Sequence, residues 1–210
     1  MSDSPTIGAG DVVTGNTFDK YGSENPVVRR LMAGFHRDLD SLFGLASPSS
    51  LLDVGCGEGV ITRAWAGLVA PGRVVGIDLD DPELRREWEA GPAPNLEYRA
   101  MDAERLEFGD GEFEMVSAIE VLEHVERPDA VLAEMARCSS RWVLVSVPRE
   151  PVWRIANLAR GAYWGSLGNT PGHLNHWSRR SFIELLGRYG TVQDVRSPFP
   201  WTLALIRVDG

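Results

Sequence analysis

The chain has 210 residues, 43% of them hydrophobic, enough for one domain of ordinary size with a sizeable core. A formal net charge of -9 and a pI near 5.0 exclude general affinity for nucleic acid, because holding phosphates needs a basic face. No apolar run is long enough to span a bilayer, and no basic stretch followed by an apolar one marks an export signal.

Residues 1–15 are small and polar, rich in Gly, Ser and Asp, and read as a flexible terminus ahead of a single domain over 16–210. After Phe18 to Gly22, a helix is predicted from Asn25 to Leu45. Pro26 suits its first turn, and Leu31, Phe35, Leu39, Leu42 and Phe43 recur at helical spacing. Leu51 to Val54 reads as a buried strand. The glycine-rich turn Gly55-Cys56-Gly57-Glu58-Gly59 follows, with a helical pattern from Glu58 through Val60, Ile61, Ala64, Trp65 and Leu68. The next strand, Arg73 to Asp78, ends in a carboxylate. Strand, glycine turn, helix, strand and terminal acid is a layout in which a nucleotide-like ligand approaches the backbone and its ribose meets the acid.

The remaining elements alternate. Pro82 to Glu89 reads as a short helix, Leu96 to Met101 as a strand ending at Asp102, and Phe113 to Ile119 as a strand entered through Gly109-Asp110-Gly111. Pro128 starts a helix whose apolar face carries Val131, Leu132, Met135 and Ala136. Arg141 to Val147 is almost wholly apolar, as in the middle of a parallel sheet, and stops at Pro148. An insert over 148–177, rich in aromatics (Trp153, Tyr163, Trp164, Trp177) and glycine, reads as a lid over an apolar or aromatic substrate. A helix from Arg179 to Tyr189 and two closing strands, Thr191 to Arg196 and Thr202 to Val208, complete the chain. Cys56 and Cys138 fall in a turn and at a helix end, which suggests no disulfide framework and fits a reducing cytoplasm. No exposed apolar helix face stands out to set an oligomeric state.

The charges narrow the ligand. A dinucleotide fingerprint wants glycine where Val60 stands and a pyrophosphate at the helix start. Glu58 sits there instead and would repel phosphate, while Asp53 adds a second carboxylate. Such a border suits a cationic adenosine ligand, S-adenosylmethionine. Beyond the fourth predicted strand, Glu120, Glu123 and His124 sit at i, i+3 and i+4. If the chain turns helical there they share one face, and two carboxylates with an imidazole on one spot suggest a divalent metal. A fourth ligand could come from Pro171-Gly172-His173-Leu174-Asn175-His176-Trp177. With mixed oxygen and nitrogen ligands, Mg²⁺, Mn²⁺, Fe²⁺ and Zn²⁺ all fit. Without a metal, His124, His173 or His176 would act as general base.

At these residues the chain resembles the class I S-adenosylmethionine-dependent methyltransferases. Leu52 to Gly59 looks like that family's first motif and Asp78 like its ribose-binding acid. Asp102-Ala103 looks like the pair beside the adenine, and Ser117 to Glu120 like the end of the fourth strand. The resemblance implies an α/β, Rossmann-like, doubly wound and mostly parallel seven-stranded sheet with an antiparallel C-terminal edge hairpin. It implies cofactor contacts from Tyr21, Asp53, Gly55, Cys56, Gly57, Asp78, Leu79, Asp102, Ala103 and Ile119, with Arg29 a further candidate. Glu120-x-x-Glu123-His124 resembles the metal motif of O-methyltransferases of ubiquinone biosynthesis and of small-RNA 3′ ends. That likeness puts His173, rather than His176, beside Glu120, Glu123 and His124 as a metal ligand. The implied reaction is O-methylation of a hydroxylated, catechol-like or aromatic small molecule. A 2′-O-methyltransferase of RNA ends, a metal-independent N- or C-methyltransferase, and a non-catalytic cofactor-binding partner are the alternatives.

Overall fold

The computed structural model describes residues 25–91, 93–159, 169–170 and 172–208. Tyr21, the terminus over 1–15 and the aromatics Tyr163 and Trp164 of the insert lie outside these residues. Helix α1 (Pro26–Ala46) starts where Asn25 Oδ1 accepts the Val27 N–H at 2.9 Å and proline takes the first turn. It ends at Ser47, whose φ of 41° breaks the helix while its N–H still reaches the Phe43 carbonyl. Phe35, Leu39, Leu42 and Phe43 are buried as their spacing predicts.

Six further pieces form the expected alternation: β1 (Leu51–Val54), α2 (Val60–Val69), β2 (Val74–Asp78), α3 (Pro82–Ala90), β3 (Leu96–Ala100) and β4 (Phe113–Ile119). Helix α2 begins two residues later than the sequence pattern suggests, because Gly59 at φ 77° still belongs to the turn. Then come α4 (Pro128–Cys138), β5 (Ser139–Pro148), α5 (Val152–Ala159), α6 (Arg179–Leu186), β6 (Thr191–Arg196) and β7 (Trp201–Arg207). Helix α5 falls inside the insert, where no helix was expected.

The strands form one seven-stranded sheet in the order β3-β2-β1-β4-β5-β7-β6. The first five pair in parallel, and β7 lies antiparallel between β5 and β6. This is the expected Rossmann-like, doubly wound architecture with its antiparallel C-terminal edge. Strand β1 is buried on both faces, which explains its unbroken apolar run. Alternate residues feed two cores. One holds Val54, Ile77, Leu132, Met135 and Phe182 under α4 and α6; the other holds Phe35, Leu39, Trp65, Met115 and Trp201 under α1 and α2. Truncating a fully buried leucine such as Leu132 to alanine would cost about 2–5 kcal/mol. The chain order reverses between β1 and β4, so the loops leaving those strands open a crevice at the carboxyl edge of the sheet. Among the described residues no helix is long and apolar enough to cross a membrane.

Candidate methyl-transfer site

The turn after β1 is built from short-range bonds. The Gly57 N–H donates to Asp78 Oδ2 at 2.7 Å, and the Leu79 N–H donates to Asp78 Oδ1 at 2.8 Å. Both carboxylate oxygens are thereby fixed at the strand end, and each keeps a lone pair for a further donor. Burial pushes the Asp78 carboxyl above the ordinary range, against the two backbone donors. Position 55 requires glycine twice over: its φ is 69°, and a Cβ there would run into the Val121 side chain. From the rear, Trp88 Nε1 donates to the Gly57 carbonyl at 2.8 Å and stacks on Tyr98 with ring centroids 5.2 Å apart. Burial raises the Cys56 thiol well above its usual range, so it stays protonated beside the two acids.

Asp53 departs from the sequence expectation of an acid bordering the ligand. It is 3% exposed, and its two oxygens accept from Thr62 Oγ1 at 2.6 Å and Ser117 Oγ at 2.7 Å. Burial raises its pKa from 3.8 to about 6 despite those donors. The carboxyl fastens β1 to α2 and β4 behind the turn, leaving Asp78 and the half-buried Glu58 on the ligand side. Leu79 is 39% exposed and Asp102 is exposed, with Asp102 Oδ1 accepting the Glu104 N–H at 2.9 Å. Ala103 and Ile119 are half-buried against the two cores.

The loop after β4 is not helical, which separates the three residues read as one face. Glu120 has φ 61°, a left-handed value rare outside glycine, and Val121 to His124 close a tight turn through the His124 N–H and the Val121 carbonyl. Glu120 consequently turns toward β5 and β7. Its Oε1 accepts from Ser146 Oγ at 3.0 Å and its Oε2 from Trp201 Nε1 at 2.7 Å. Glu123, His124 and His173 do come together, with donor atoms within 4.8 Å of one another. Glu123 is 1% exposed and His173 9%. Glu120 is not in this group, which among the described residues brings together three of the four expected ligands.

What brings His173 in is a set of long-range bonds. The Leu174 and Asn175 N–H groups both donate to the Glu123 carbonyl, at 2.7 and 3.1 Å. Asn175 Nδ2 donates to the Leu122 and Val125 carbonyls at 3.1 and 2.6 Å. His124 Nδ1 lies 3.0 Å from the Gly172 carbonyl, which assigns the proton to Nδ1 and puts the lone pair on Nε2. A ring nitrogen tied to a backbone carbonyl is the usual support for a metal-binding or catalytic histidine, and one carboxylate with two imidazoles suits a divalent first-row metal. His176 is exposed and pairs through Nε2 with Asn169 Oδ1 at 2.6 Å, outside this group.

Trp201 went unnoticed in the sequence, and Trp153 was read only as one of the aromatics of the insert. The Trp153 ring stacks on His173 at 5.9 Å and leans on Trp201 at 5.8 Å, and Trp201 meets Phe35 of α1 at 5.0 Å. His173 meets His124 edge-on at 4.9 Å. An aromatic row thus runs from α1 to the histidine pair. The aromatic content of the insert was a signal for it; the partner on β7 was not.

The methyltransferase-domain family model matches residues 52–141. A ubiquinone biosynthesis O-methyltransferase from Pseudomonas paraeruginosa is 30% identical over 165 residues, covering 70% of this chain and 69% of that protein. Among solved structures, the PH0226 protein from Pyrococcus horikoshii superposes with TM-score 0.68 at 19% identity, over 92% of this chain and 97% of that one. The magnesium protoporphyrin IX methyltransferase from Synechocystis, solved with bound SAH, gives TM-score 0.64 at 18% identity, over 90% of each chain. A glycine turn tied to a strand-end acid, at the switch point of this sheet, accords with those matches: the chain belongs to the S-adenosylmethionine-dependent methyltransferases.

Proposed function

We propose that the chain transfers the methyl group of S-adenosylmethionine to a hydroxyl oxygen of a small aromatic acceptor. The observation that carries this reading is the meeting of Glu123, His124 and His173 at the end of β4, next to the glycine turn. The O-methyltransferase among the relatives supports it. The sulfonium supplies an already activated methyl group. Gly55, Cys56, Gly57 and Asp78 would hold the donor, with Asp78 on the ribose, and Leu79, Asp102, Ala103 and Ile119 beside the adenosine. Holding donor and acceptor in line is worth roughly 7–11 kcal/mol of barrier.

The acceptor hydroxyl must lose its proton as its oxygen bonds to the methyl carbon and the carbon–sulfur bond breaks. His124, whose Nδ1 is held by the Gly172 carbonyl, takes that proton on Nε2, a contribution of roughly 10²–10⁴-fold. A divalent metal (Mg²⁺, Mn²⁺, Fe²⁺ or Zn²⁺) held by Glu123, His124 and His173 would instead supply Lewis-acid polarisation of the hydroxyl. The aromatic row gives a planar acceptor a wall to lie against.

Calorimetry with S-adenosylmethionine and a methyl-transfer assay on catechol, each with and without chelator, test the proposal. Donor binding and methylated catechol are expected. Activity lost to chelator and restored by Mn²⁺ assigns the metal; activity indifferent to it assigns His124 as base. A protein that binds no donor, or whose turnover survives His124→Ala and Glu123→Ala, would end this reading.

A further inference from the structure

Many arginines of this acidic chain lie beside a carboxylate, such as Arg73 by Glu112, Arg127 by Glu104, Arg137 by Glu134 and Arg188 by Asp129. Even the half-buried Arg137 has its carboxylate at 2.8 Å. Arg149 and Arg154 are different. Both are half-buried, their Nε atoms are shut off from solvent, and neither Nε makes a hydrogen bond. Among the described residues no carboxylate lies within 4.0 Å of either guanidinium. A buried N–H donor left without an acceptor costs stability unless a ligand supplies one, and Glu150, a carboxylate that acts on Arg154, does so without an ion-pair contact.

Their position says which ligand. Arg149 follows the last residue of β5, at the carboxyl edge of the sheet where the crevice opens. Its carbonyl accepts the Trp153 N–H at 2.9 Å, and Trp153 stacks on His173. Arg154 is the next residue of α5. Both residues therefore flank Trp153, on the turn that carries the aromatic wall to the histidine pair. One acid shares that turn: Glu150, whose Oε2 accepts the Arg154 backbone N–H at 3.4 Å and whose Oε1 is buried without a hydrogen bond. Two cations against one carboxylate leave an excess of one positive charge, and guanidinium geometry matches a carboxylate or phosphate through paired N–H donors.

We propose that Arg149 and Arg154 form an oxyanion subsite that holds a carboxylate or phosphate carried by the acceptor, so that the natural acceptor is an anionic hydroxylated aromatic. This rests on the methyl-transfer reading for the place of the acceptor, and deepens it by naming a second functional group on the molecule.

The test is calorimetry on protein saturated with S-adenosylhomocysteine, comparing 3,4-dihydroxybenzoate with catechol at low salt, with inorganic phosphate as competitor. The carboxylate is expected to improve affinity at least about tenfold. Phosphate that displaces 3,4-dihydroxybenzoate but not catechol fits a subsite open to either anion; failure to displace it fits one shaped for carboxylate. The Arg149→Gln, Arg154→Gln double variant should lose the preference, Arg→Lys should restore part of it, and Glu150→Gln should increase it by roughly two- to fivefold. Should the double variant not fold, Glu150→Gln alone decides. Equal affinity for the two probes, or a preference indifferent to these substitutions, overturns the subsite. So does displacement by a short single-stranded RNA at lower concentration than by phosphate. Failure to bind S-adenosylhomocysteine at all would instead strike at the methyl-transfer reading itself.

Discussion

The turn after β1 and the loop after β4 meet at the carboxyl edge of the sheet, yet they are held by contacts of very different reach. On the donor side, Gly57 and Asp78 are 21 residues apart and Thr62 and Asp53 only nine. On the acceptor side, His124 meets Gly172 across 48 residues and Glu120 meets Trp201 across 81. The first region is a βαβ unit that sets its own geometry; the second exists only after the whole sheet has closed. Donor binding should therefore respond to local changes, and acceptor binding to distant ones.

Asp78→Ala offers the sharpest break. Two charge-assisted hydrogen bonds to a ribose are worth about 3–6 kcal/mol together, so S-adenosylmethionine affinity should fall at least about 100-fold by calorimetry. Acceptor binding should be spared; a parallel loss there would dissolve the distinction between the two regions.

Asp53 tests the same side through pH. Its carboxyl is raised in the folded protein from 3.8 to about 6, so the stability it contributes is full below about pH 4 and is lost as pH rises through about 6. Relative to Asp53→Asn, the parent should lose up to about 3 kcal/mol of unfolding free energy between pH 4 and pH 7. Urea unfolding at the two pH values measures it, and a difference that does not change with pH would show that the buried carboxyl does not titrate in this range.

The smallest expected effect belongs to the acceptor side. Asn175→Ala removes two hydrogen bonds to the Leu122 and Val125 carbonyls, a loss of about 2 kcal/mol. It should raise the acceptor KM while S-adenosylmethionine affinity stays put. A change in donor affinity of the same size would mean that the two regions are one cooperative unit.

The same contrast governs what could be read from the chain. Strands β1 to β5 and the acid at Asp78 were legible because apolar runs, glycines and a strand-end carboxylate carry their meaning within a few residues. The helix expected after β4 was not there. Ile119, Val121 and Leu122 are apolar for different neighbours, and Glu120 takes a left-handed backbone that no spacing rule foresees. Grouping Glu120 with Glu123 and His124 failed for that reason, whereas His173 was placed by likeness to a family motif rather than by any local pattern. Helix α5 stayed hidden because Asn157 occupies a buried position where a helical pattern wants an apolar residue. Its amide donates to Thr170 Oγ1, which Trp153 Nε1 also reaches. That partner lies 13 residues on, outside any helical window.

Where the two regions touch, the hydrogen on Gly55 leaves a space that Val121 fills. The donor turn and the acceptor loop thus meet at this notch, and neither can swell there without pressing on the other. An evolutionary change of substrate that reshapes the loop from Val121 onward must keep that notch, so new specificities should arise more readily from the segment around His173 than from the residues facing Gly55.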